Sequence, residues 1–186
     1  MSPRERFLLA TLAGIVLAGL VHLSAVFALP FVAEMDALSR LRGTLSADKS
    51  EIVAAAGDPA TWVPQHDPAV ALATCAFNLN EGPLRVSART GPLFQSLGFH
   101  ARGGAVFFAV TDRAAVRGSL ELVVMTRRQL DEALAREDEE EPSRDVRIVS
   151  PTREGLVVVR ALASFPSQRE AATEAAKSVS CTIDRE

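Results

Sequence analysis

The sequence predicts an α+β protein: an N-terminal transmembrane helix followed by a mainly antiparallel β domain, sheet or sandwich, with two or three packed helices. Three observations carry that prediction. Phe7–Leu29 holds twenty-three residues without one Asp, Glu, Lys or Arg. Residues 69–163 break into short apolar or alternating runs divided by Gly, Pro and Asn, the pattern of strands joined by turns. Two capping signals, Thr126 with Gln129 and Ser167 with Glu170, open helices after those runs. The chain divides accordingly: cytoplasmic N-terminus and anchor (1–32), juxtamembrane helix and irregular linker (33–68), and a periplasmic β-rich domain (69–186).

As a helix, Phe7–Leu29 is roughly 35 Å long, enough to cross a hydrocarbon core of about 30 Å. Arg4 and Arg6 precede it with Glu5 between them, whereas Glu34 and Asp36 follow it and no base appears until Arg40. The positive-inside rule then leaves the N-terminus in the cytoplasm and the domain outside a bacterial inner membrane, tethered by a single pass. Val26-Phe27-Ala28 has the small residues of a cleavage site, but the run exceeds the ~7–15 apolar residues of a signal peptide. A buried core helix of a soluble protein is the other alternative. His22 lies near the outer end of the span, where a neutral ring reaches the interface. Ala10, Gly14 and Ala18 are ordinary anchor composition or, at small-xxx-small spacing, a contact for a second helix. Lipid along Phe7–Leu29 is therefore the expected partner, with a membrane protein as a further one.

Pro30 ends the helix or kinks it. Met35, Leu38, Leu41 and Leu45 give one apolar helical face, which rests on the domain or on the membrane. Gly57, Pro59, Pro64 and Pro68 make residues 47–68 irregular. Trp62 among them is a lid on the core or a binding residue. Ala69–Phe77, Leu84–Arg89, Leu93–Ala101, Ala105–Thr111 and Ser119–Met125 read as a meander of antiparallel strands, with Arg102-Gly103-Gly104 as a tight hairpin turn. Leu84, Val86 and Ala88 face one side and Arg85, Ser87 and Arg89 the other.

Leu130, Ala133 and Leu134 give the Thr126 helix an apolar face. It dissolves in the acids Glu137 to Glu141 before Pro142, a solvated loop without metal-binding geometry. Val146–Val149 and Gly155–Ala163 are further strands. The second is apolar enough to be central, so Arg160 within it needs an acid such as Glu121, or lies at the surface. Ala171, Ala172, Ala175 and Ala176 let the last helix lie close on a sheet, just before Cys181.

The net charge of −3 and pI near 5.7 give no reason to expect nucleic acid. Nine Phe, one Trp and no Tyr argue against a stacked-ring carbohydrate platform. Cys75 and Cys181 form a disulfide in an oxidising compartment or remain two separate thiols; without CxxC spacing they are no redox motif. His66 and His100 lack metal-ligand spacing, and no GxSxG, P-loop or Rossmann fingerprint occurs. No catalytic residue, metal or cofactor is expected. The candidate ligand residues are His100, Arg102 and Arg160, provided they converge in space.

The run CAFNLNEGPLRVSARTGPLFQSLGFHARGGAVFFAVTDRAA, then GSLELVVMT and later IVSPTREGLVVVRAL, resembles the bacterial family called domain of unknown function 1254. Glu81-Gly82-Pro83 matches that family's acidic or polar turn ending in Gly-Pro before a strand. The likeness covers roughly residues 70–163, and the anchor adds likeness to a short membrane-anchored alphaproteobacterial branch. Larger members join this domain to a second one, of unknown function 1214. The resemblance therefore implies a separate protein that supplies the second domain, and it implies no catalytic residues. The expected role is an interaction module. Its alternatives are a periplasmic enzyme or small-ligand binder with a pocket near His100, Arg102 and Arg160, and a structural envelope protein.

Overall fold

The computed structural model describes residues 2–32, 37–42, 50–59, 61, 63–136 and 145–184. Met35, Leu45, Trp62 and the acidic run before Pro142 lie outside them. Along the chain stand α1 (Pro3–Val32), α2 (Ala37–Arg42), β1 (Glu51–Ala54), β2 (Val70–Asn78), β3 (Leu84–Arg89), β4 (Gln95–Ala101) and β5 (Val106–Thr111). Then follow β6 (Ser119–Met125), α3 (Arg127–Arg136), β7 (Val146–Val149), β8 (Glu154–Leu162), α4 (Arg169–Lys177) and β9 (Ser180–Ile183).

Ser2 and Glu5 cap α1 reciprocally: the Ser2 N–H donates to Glu5 Oε2 at 2.7 Å and the Glu5 N–H to Ser2 Oγ at 3.3 Å. Pro3 takes the first helical position, where a missing N–H costs nothing. The helix continues two residues past Pro30. Its apolar span, mean hydropathy 2.3, is long enough to cross a membrane, and 0% of it is buried. It is therefore not a core helix of this domain. α2 packs on the domain, burying Leu38 and Leu41 against Leu156 with Val53 and Ala76 beside them.

The fold class is the α+β expected from sequence. One sheet has the order β1-β2-β8-β4-β5 and the other β7-β6-β3-β9. Their facing sides make a sandwich. Ala71, Ala73, Cys75, Phe77, Leu97, Phe99, Val157 and Val159 point inward from the larger sheet, meeting Leu84, Val86, Leu120, Leu122 and Val124. Each set recurs every second residue, as a pleated strand with one buried face requires.

The strands do not form the expected meander. β1–β2 and β4–β5 are hairpins, but β3 and β6 lie in the opposite sheet from the strands before them. Residues 79–83 and 90–94 carry the chain across the ~10 Å between sheets; a turn signal marks a bend without saying which sheet comes next. The β4–β5 turn does hold Gly103 and Gly104 at φ 91° and 89°, where a side chain is disfavoured. Every pairing is antiparallel except β6–β7, which runs parallel across α3. Residues 51–54, expected to be irregular, pair with β2 as β1. Residues 180–183 pair with β3 as β9.

The Thr126–Gln129 capping box forms, with the Gln129 N–H on Thr126 Oγ1 at 3.2 Å and the Thr126 N–H on Gln129 Oε1 at 2.8 Å. The Ser167–Glu170 box does not. Pro166 starts a 3-10 turn ahead of α4, and Gln168 Oε1 accepts the Phe165 N–H at 3.2 Å instead. α4 lies on β2 and β8. Its buried Ala172 and Ala176 share the core with Ala71, Ala73 and Ala161, small residues that permit close approach. Buried Gln95 donates to the Ala175 carbonyl at 3.1 Å and Ser50 Oγ to that of Ala176 at 2.8 Å.

Candidate functional site

The outer face of the larger sheet is divided. α2 covers the side of β1, β2 and the start of β8. On the other side, Ser96, Gly98 and His100 of β4 lie beside Arg160, Val158 and Leu156 of β8. Arg160 is therefore an exposed, outward residue and not a buried central one. It makes no ion pair among the described residues. Glu121, its expected partner, belongs to the other sheet and accepts the Ser87 hydroxyl at 2.8 Å.

His100 and Arg160 converge over Gly98. A Cβ on Gly98 would lie 3.3 Å from His100 Nε2 and 3.5 Å from Arg160 Nη1, so the missing side chain makes room for both groups. His100 Nδ1 is 3.0 Å from the Gly104 carbonyl. A carbonyl only accepts, so Nδ1 carries a hydrogen and donates it. Among the described residues His100 Nε2 is buried without a hydrogen-bond partner. The patch thus sets an exposed cationic donor, Arg160, beside the edge of the His100 ring. Arg102 does not join it: Nη1 meets Glu154 Oε2 at 3.3 Å, and the side chain is 67% exposed.

A cleft of about 610 Å³ lies elsewhere, between the β2–β3 turn, the start of α3 and the β7–β8 turn. None of His100, Arg102 and Arg160 lines it. Its polar groups largely satisfy each other. Arg128 pairs with Glu132 at 2.7 Å, Arg153 donates to Asn80 Oδ1 at 3.0 Å, and Gln129 Nε2 to the Leu79 carbonyl at 2.9 Å. Sequence reasoning saw its turns and cap separately; only the strand order brings them together. Among the described residues no three His, Cys, Asp or Glu side chains group as a metal site.

Cys75 on β2 and Cys181 on β9 are bonded, their Cα atoms 6.5 Å apart. Both are buried, and the bond ties one sheet to the other. On the outside of the smaller sheet, Arg85 lies 2.7 Å from Asp145 and 3.4 Å from Asp184. The hydrogen bond to Asp145, opposed by partial burial and helped by the charges of Asp145 and Asp184, raises the Arg85 pKa above its ordinary value.

No described protein family and no curated protein sequence matches this chain. Solved structures do share its fold. The VPA0106 protein from Vibrio parahaemolyticus has a TM-score of 0.54 at 9% identity, over 78% of this chain and 32% of that one. A putative uncharacterised protein from Burkholderia cenocepacia has 0.51 at 12% identity, over 80% of this chain and 39% of that one. This chain thus matches 32% and 39% of those longer chains, and at such identities it is similar to them in fold alone.

Proposed function

We propose that this chain is a single-pass bacterial inner-membrane protein whose β-sandwich serves in the periplasm as an interaction module for a separate protein. The observation that carries the reading is the bare half of the larger sheet's outer face. There the buried His100 Nε2 has no partner and Arg160 has no counter-ion among the described residues. A carboxylate offered to Arg160 supplies the missing counter-charge. The Cys75–Cys181 bond suits an oxidising compartment, and the longer solved neighbours combine this fold with further protein. The greater length of those neighbours accords with the resemblance to the domain of unknown function 1254 family and its companion domain. A second reading has a small anionic ligand occupying the same spot over Gly98.

The test is capture of the full chain from gently solubilised native membranes, beside an Arg160→Glu chain. A stoichiometric companion present with the parent and lost with the variant supports the module. No companion with either chain rejects it and directs screening to small anions.

A further inference from the structure

The geometry points to a second copy of this chain as the partner of β5, the two strands pairing antiparallel so that two five-stranded sheets become one continuous sheet. This inference takes its orientation from the membrane-anchored reading and adds a partner that the reading does not name.

Sheet edges expose unpaired backbone groups, and proteins guard them with charge, proline, bulges or shortness. Three edges here are guarded. β1, β7 and β9 have four residues each. β1 also carries Glu51 and a register break, β7 carries Arg147, and Asp184 follows β9. β5 is different. It has six residues, Val-Phe-Phe-Ala-Val-Thr, with no charge and no proline, and among the described residues it pairs only with β4. Val106 is 59% exposed and Ala109 is exposed. After one register shift at the turn, Phe108–Thr111 run in regular register with β4.

Self-pairing fits for two reasons. An uncharged strand meets its own copy without like-charge repulsion. Continuity of the faces then fixes the register. Ala109 pairs with Gly98 on the outer face, whereas Phe108 pairs with Phe99 on the core side. A two-fold axis perpendicular to the sheet keeps outer residues beside outer residues, so a residue must lie on the axis. Centring on Ala109 sets it beside its own copy and Phe108 beside Val110, in the middle of the regular stretch.

The anchor selects the same axis. α2 lies on the outer face of this sheet, and only residues 33–36 separate it from α1, at most about 18 Å of chain. The anchor therefore leaves from the side of the domain that carries α2. An axis perpendicular to the sheet sets both α2 helices on the same side of the joined sheet, so that both anchors enter one membrane.

The experiment uses the full chain in native membranes and in detergent. Mild oxidation of an Ala109→Cys chain should give a disulfide-linked dimer, because cross-strand Cβ atoms lie about 5 Å apart. By light scattering in detergent the parent should be dimeric. Ala109→Lys and Ala109→Glu should each raise the dissociation constant about tenfold, and their mixture should restore the dimer. Unchanged melting shows that the variants fold; Val106→Lys replaces Ala109→Lys if it does not. A monomeric parent, a dimer indifferent to these charges, or one abolished by Gly14→Leu in α1 would overturn the inference. Release of the chain by carbonate washing would instead overturn the anchored reading, independently of the cross-link.

Discussion

Replacing Cys75 and Cys181 together by alanine removes the covalent tie between the two sheets. The bond spans a sequence separation of 106, and the loop-closure relation gives about 4.8 kcal/mol at 25 °C for a ring of that size. Two smaller buried side chains add about 1 kcal/mol. Against a typical domain stability of about 5–15 kcal/mol, the variant is left marginal. β9 should loosen first, since among the described residues its four residues pair with β3 alone. The assay is urea unfolding of the detergent-solubilised chain, read by hydrogen exchange in β2, β3 and β9 peptides. With a slope near 2 kcal/mol per molar urea, the midpoint should fall by about 2–3 M. Either single replacement should come close to the double, because each breaks the same bond. A double variant within about 0.5 M of the parent would refute the loop-closure reasoning.

Other expectations follow from single contacts. In Gly155→Ala the new Cβ meets the His100 carbonyl and stands 2.5 Å from the Phe77 ring; thermal melting should show a loss of about 1–3 kcal/mol. Gln129→Ala removes both the cap on Thr126 and the bond to Leu79. It should cost about 1–2 kcal/mol and speed exchange in the first turn of α3. Arg85→Ala should cost only about 0.5 kcal/mol, the pairs being solvent-screened. A base with a raised folded pKa stabilises below its unfolded value and loses that contribution only as pH rises through the folded one. The Arg85 increment should therefore be equal at about pH 6 and pH 9, and a difference between denaturation curves at those two values would contradict the assignment.

Strands with clear alternation and punctuation were legible: Leu84–Arg89, Ser119–Met125 and Val146–Val149 have the same bounds in sequence and structure. β1 and β9 were not, since four-residue edge strands carry too few residues to set a period. Sheet order was hidden too, because pairing is non-local and apolar alternation names no neighbour. Arg160 shows how a correct strand leaves the environment of one residue open. Gly155–Ala163 reads as apolar on both faces because α2 buries Leu156 on the outer one. That cover stops short of Arg160, which stays exposed. The meeting of His100 with Arg160 over Gly98 depends on β4–β8 register, which composition does not encode.

β8 also decides when this chain can fold. It lies between β2 and β4, pairing Val70 with Leu162 and Gln95 with Ala161. A growing chain that has reached only residue 150 holds two strands whose common neighbour does not yet exist. Its larger sheet cannot close early, and topologies rich in such distant pairings fold slowly, over milliseconds to seconds. A late middle strand thus makes the larger sheet an all-or-none structure, absent until the last third of the chain has been made.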